Sequence, residues 1–144
     1  MDALDLTKQA PRAPRELLPG LELLMMARTV DKLRATLPGG NLGNYQIPGF
    51  SARLLEALGI GEASLRDAVA AARSDDDVVA WIRRNSDPAR YAQVNVALES
   101  RKVADRLDDP AFVAKYPIIQ RLPPEMPLLD MLVADDRLAF EPAS

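Results

Sequence analysis

Helix start and stop signals recur at short intervals along this chain, whereas strand signals are weak throughout, and this punctuation sets the fold class as all-α. Prolines supply much of it, notably in Asp87-Pro88 and Asp109-Pro110. In each pair the aspartate caps a helix and the proline takes the first helical position, where its missing N–H is not needed. The 144 residues therefore predict a small single-domain bundle of about six helices. Residues 1–19 form a proline-containing arm, 117–127 a proline-rich connection and 136–144 a tail.

Between residues 20 and 37, Leu23, Met26, Val30, Leu33 and Leu37 recur at spacings of three and four, which predicts helix one with a buried stripe. Leu21, Leu24 and Met25 fall on its opposite side, so its first half reads as apolar all round. Residues 38–49 carry four glycines and two prolines and cannot continue a helix. A short helix follows from Ser51 to Leu58 with Gly59 as its left-handed C-cap, then a third over 64–73. A fourth starts after Ser74, with Asp75, Asp76 and Asp77 in its first turn, and ends at Asn85. The longest helix is expected over 88–107, with an Arg101–Asp105 pair on its outer face. A short piece through Phe112 and Val113 and a last short helix through Leu128, Leu129, Leu132 and Val133 complete the set.

The absence of cysteine and histidine removes whole classes of chemistry. Disulfides, thiol nucleophiles, zinc sites of the usual kind, Ser-His-Asp triads and imidazole proton shuttles are all excluded. A general acid or base must be a carboxylate, lysine, tyrosine or water. The net charge of −3 argues against a nucleic-acid partner, because such affinity is largely counterion release by clustered Lys and Arg. No stretch of 18 apolar residues and no signal-peptide pattern is encoded, so no membrane partner and a cytoplasmic location are expected.

Several local patterns have a plain structural explanation. Gly39 to Gly43 lacks both the preceding strand and the Gly-Lys-Ser/Thr ending of a phosphate-binding loop, and reads as a helix C-cap plus turn. Asp75-Asp76-Asp77 suits a divalent cation, yet three acids after an N-cap serine also satisfy the helix dipole. Met26 reads as a core residue and Trp81 as a core or groove residue, while Met25, off the main stripe, suits core packing and a pliable ligand wall equally.

One constellation carries more. Arg28, Asp31, Lys32 and Ala35 share a face of helix one, directly beyond Leu21, Leu24 and Met25. Arg12 and Arg15 sit in a polyproline-II pattern that points both guanidinium groups one way, and Tyr45 lies in the glycine-rich loop. An apolar wall leading to cations and one carboxylate is the composition of a pocket for an acidic small molecule. The competing explanation is a surface ion-pair ladder, Arg28 with Asp31 and Asp31 with Arg34, of little consequence.

The same residues resemble a bacterial family catalogued as a domain of unknown function, number 5069. The similarity lies in Asp5-Leu6-Thr7, Pro11-Arg12-x-Pro14-Arg15-Glu16, Arg28-x-x-Asp31-Lys32-x-Arg34-Ala35, Leu42-Gly43-x-Tyr45 and Leu58-Gly59-Ile60, across roughly the first 80 residues. The resemblance implies a small helical fold and supplies no reaction. It weakens the surface-ladder explanation and leaves an arm-to-helix clasp as the main rival. Gln46 stands where a histidine follows the tyrosine in the family pattern, so the resemblance brings no imidazole chemistry to this chain.

The resulting expectation is a cofactor-free protein that binds an acidic small molecule through Arg12, Arg15, Arg28 and Lys32, with Leu24 and Met25 as apolar wall. The N-terminal arm and the glycine-rich loop close over the pocket. Asp31, Lys32 and Tyr45 are the candidate catalytic groups for proton transfer of the isomerase, lyase or cyclase type. The alternative is an interaction or homodimerisation module using Leu21, Leu24 and Met25.

Overall fold

The computed structural model describes residues 1–140, and no strand forms among them. Seven α-helices lie within the described residues: α1 (Met26–Ala35), α2 (Phe50–Leu58), α3 (Glu62–Ala71), α4 (Asp75–Arg84), α5 (Tyr91–Glu99), α6 (Pro110–Lys115) and α7 (Leu128–Phe140). None is long and apolar enough to cross a membrane. The chain divides into two compact units, Met1–Asn95 and Val96–Ser144.

In the first unit α1 is the central element. Nine of its ten residues are buried, and it packs against α2 and α3. A helix apolar on one face can leave the other to water; a helix buried all round must satisfy its polar residues internally. Thr29 does so by donating its hydroxyl to the Met25 carbonyl at 2.8 Å, while its oxygen lies 2.9 Å from the buried Ser51 hydroxyl, which can donate to it. The sequence pattern placed the start of this helix at residue 20, but residues 21–25 run irregularly and α1 begins at Met26. Asn95 explains part of this, because its side chain accepts the Leu24 N–H and donates to the Glu22 carbonyl, holding the backbone out of the helix there. Leu21, Leu23 and Met25 are thereby buried from a non-helical segment, and Leu24 is half-buried.

The C-terminal turn of α1 is closed by the Thr36 hydroxyl on the Leu33 carbonyl, and by Gly40, where an added Cβ would sit 2.5 Å from the Ala35 carbonyl oxygen. Gly59 ends α2 at φ 71°, with Ile60 N–H reaching back to the Leu55 carbonyl, the left-handed closure expected from the sequence. Around α4 the acids occupy the first turn as expected, although the Ser74 side chain makes no capping bond. Asp77 instead accepts the Arg73 N–H at 2.9 Å. Asn85 closes the helix, its side-chain amide on the Trp81 carbonyl.

Both Asp-Pro devices work as read. Asp87 accepts the Ala89 N–H and Asp109 accepts those of Ala111 and Phe112, with proline first in each turn. The helix expected over 88–107, however, stops at Glu99. Within the second unit the backbone of residues 101–104 pairs with 124–128: Leu128 N–H donates to Arg101, Val103 N–H to Met126 and Ala104 N–H to Pro124. Those bonds replace helical ones, a tertiary arrangement that overrides local propensity. Asp105, expected to face Arg101, takes the Lys102 N–H at 2.9 Å.

Residues 117–121 of the proline-rich connection form a 3-10 turn. The last helix then runs past Val133 to Phe140, so residues 136–140 of the expected tail are helical; 141–144 lie outside the described residues. Ile119, Leu128, Leu129 and Met131 are the second unit's most deeply buried apolar residues, with Val103.

Candidate functional site

The arm lies along the first unit with Leu6, Pro11, Pro14 and Leu18 buried. Its start is stitched to the glycine-rich loop by a parallel bridge between Asp5 and Asn41, with Leu6 N–H donating to Asn41 at 2.8 Å and Asn41 N–H to Leu4 at 2.9 Å. Further along, Met25 N–H donates to the Pro14 carbonyl at 2.8 Å. The arm and the loop thus meet beside α1, as the sequence suggested. The polyproline-II pattern is interrupted by a turn, with Glu16 N–H on the Ala13 carbonyl at 3.0 Å. Arg12 therefore turns inward, while Arg15 is exposed.

Arg12 is the centre of a clasp. Asp31 Oδ2 accepts its backbone N–H at 2.7 Å and its Nε at 3.1 Å, and Asp31 Oδ1 accepts Nη2 at 3.0 Å. Asp75, from the first turn of α4, accepts Nη1 at 2.8 Å and Nη2 at 3.3 Å. Burial opposes the guanidinium charge, but the hydrogen bonds that Arg12 donates to Asp75 and Asp31 outweigh it and hold the Arg12 pKa above its ordinary value. Arg34 adds a weaker contact, 3.8 Å from Asp31, and its Nε donates to the Asp2 carbonyl at 2.8 Å. Asp75 was the residue that sequence reasoning missed as a partner. Its place in an acidic helix start explained it without any distant contact, and nothing local in sequence pairs it with Arg12.

The remaining cations of α1 face the loop. Arg28 is 1% exposed, its guanidinium stands 5.5 Å over the Tyr45 ring, and Nη1 donates to the Arg12 carbonyl at 3.4 Å. Lys32, one helical turn on, is buried and donates its Nζ to the Gln46 carbonyl at 2.9 Å. Two cations spaced i, i+4 thus converge on adjacent residues of one loop. The surface-ladder explanation is corrected by burial: Arg28, Asp31 and Lys32 do not lie on a solvated face.

A model of the family described as a domain of unknown function (DUF5069) matches residues 8–122. The chain belongs to that family. The DUF5069 match runs well past Trp81 and through α6, beyond the segment that carried the resemblance in sequence, and takes in Arg12, Arg28, Asp31, Lys32, Tyr45 and Asp75. No curated protein matches the chain.

The apolar residues of the expected site are placed differently from the charged ones. Met25 is fully buried at φ 69°, a left-handed backbone rarely taken by a non-glycine residue, and its carbonyl receives the Thr29 N–H. With Leu21 it belongs to the interior, so of the proposed interaction patch only Leu24 is half-exposed.

Proposed function

We propose that this DUF5069 protein binds a small carboxylate-bearing molecule at the α1 face formed by Arg28 and Lys32, beneath the loop that carries Tyr45 and Gln46. The observation that carries the reading is the burial of two cations, one helical turn apart, against a single loop segment. Lys and Arg are among the residues least often fully buried, and buried ionisable groups cluster where charge is used. Tyr45 adds an aromatic face and a hydroxyl donor to the same place.

In this reading the Arg12–Asp31–Asp75 clasp is a positioning device. It ties the arm to α1 and α4, so the cationic face is fixed before a ligand arrives. Both Asp31 oxygens already accept Arg12 donors, which favours a positioning role over proton transfer. Binding is therefore the function assigned, with Arg28, Lys32 and Tyr45 as its contacts, in a cytoplasmic setting that the cysteine-free sequence suits.

Thermal denaturation of the full chain against a panel of mono- and dicarboxylates tests it. Saturating binding adds about 2.7 kcal/mol at a hundredfold excess over Kd, an easily measured shift. A shift that disappears in Lys32→Met, with the circular dichroism of the fold retained, is the expected result. The same shift in wild type and Lys32→Met would remove the reading.

A further inference from the structure

A second feature lies beside the last turn of α1. An open depression of about 450 Å³ is lined by Met1, Asp2, Arg34, Ala72 and Arg73, all within the first unit. None of Arg28, Lys32 and Tyr45 lines it. Its volume falls in the range of small-molecule sites.

The depression has a built floor and walls. The Met1 ammonium donates to the carbonyls of Val69 at 3.2 Å, Ala70 at 3.4 Å and Ala72, where α3 ends. Arg34 comes from the last turn of α1, and its side chain is only 19% exposed, held by the Asp2 carbonyl and by Asp31. Arg73 follows α3 and is exposed, and Asp77 fixes its backbone N–H. The Arg73 guanidinium makes no hydrogen bond or ion pair among the described residues.

We infer that this depression is a separate anion site, where Arg73 and Arg34 together hold the carboxylate or phosphate group of a small molecule. A guanidinium presents planar, paired N–H donors that fit either oxyanion. One arginine is anchored and the other has its donors available, so a ligand gains a preset contact and completes the second. Asp2 is the one acidic residue lining the depression against two arginines, and the local charge there favours an anion.

Titration of the ¹⁵N-labelled full chain with inorganic phosphate and, separately, with succinate tests the assignment. At millimolar concentrations, saturable shifts of the Asp2, Arg34, Ala72 and Arg73 amides are expected with at least one of the two, and that one names the group recognised. Arg73→Ala, an exposed change that leaves packing intact, should weaken the binding about tenfold or more, the size expected for a charge-assisted contact. Arg53→Ala, also exposed, should not weaken it. Absence of shifts at these amides with both anions, or undiminished binding in Arg73→Ala, overturns the inference. Shifts confined to residues 28, 32, 45 and 46 overturn it too, while supporting the separate site on α1.

Discussion

Arg12 and Asp31 are joined three times: the backbone N–H, Nε and Nη2 of one residue all donate to the carboxylate of the other. Because one of those donors is main chain, the contact fixes where the arm runs as well as where its side chain points. It turns an irregular N-terminal segment into part of the first unit's packing, with Asp75 holding the guanidinium from α4.

The two carboxylates of this clasp should not be equivalent. Asp31 is 6% exposed and Asp75 27% exposed. Asp31→Ala leaves three part-buried Arg12 donors without their Asp31 acceptor and should cost about 2–4 kcal/mol, against about 1 kcal/mol for Asp75→Ala. Urea denaturation of both variants, each repeated on Arg12→Met, measures the two couplings. Equal losses would mean that the clasp does not stabilise in the way its geometry implies.

Gly40 and Gly59 make a second comparison, since they are glycines for different reasons. Gly59 needs a left-handed backbone at φ 71° with open space around its Cβ position, a cost of about 1 kcal/mol for alanine. At Gly40 the added Cβ would press on the Ala35 carbonyl oxygen, main chain that cannot swing aside. Gly40→Ala should therefore lower stability by about 2–3 kcal/mol. A Gly40→Ala protein as stable as Gly59→Ala would contradict the close approach.

What could be read from sequence divides along the range of the interaction concerned. The Asp87-Pro88 and Asp109-Pro110 starts and the Gly59 stop are local, decided by groups within a few residues, and each is found as read. The grouping of Arg12, Arg28, Asp31 and Tyr45 was also legible, because three segments carried matching chemistry. Helix one began late and helix five ended early for a different reason. Asn95 holds residues 22–24, and residues 124–128 pair with 101–104, contacts that no 3.6-residue periodicity contains. Asp75 was hidden in the same way, behind a local explanation that was sufficient by itself.

Asp5 offers a pH-dependent test of the arm. The Thr7 hydroxyl and then the Thr7 N–H donate to its Oδ1 and pull its carboxyl below the ordinary 3.8. A folded value below the unfolded one gives stability that is present above the unfolded pKa and lost as pH falls through the folded pKa. Carboxyl ¹³C titration should place Asp5 below 3.8, and Thr7→Val should move it upward by removing the larger contribution. Identical titration curves for wild type and Thr7→Val would show that the hydroxyl does not hold the carboxylate.

Met25 reverses a common rule of substitution. Truncating a fully buried methionine costs about 2–5 kcal/mol, and glycine is usually a worse replacement than alanine because its unfolded chain is freer. Here the backbone stands at φ 69°, where alanine keeps the strain and glycine relieves about 1–2 kcal/mol of it. Both variants should be less stable than wild type, yet Met25→Gly should be more stable than Met25→Ala by about 1 kcal/mol in urea denaturation. The opposite order would mean that the segment before α1 relaxes out of the left-handed region once the side chain is gone. In that case the buried side chain, rather than the Pro14 and Thr29 backbone hydrogen bonds, sets the conformation at the start of the helix.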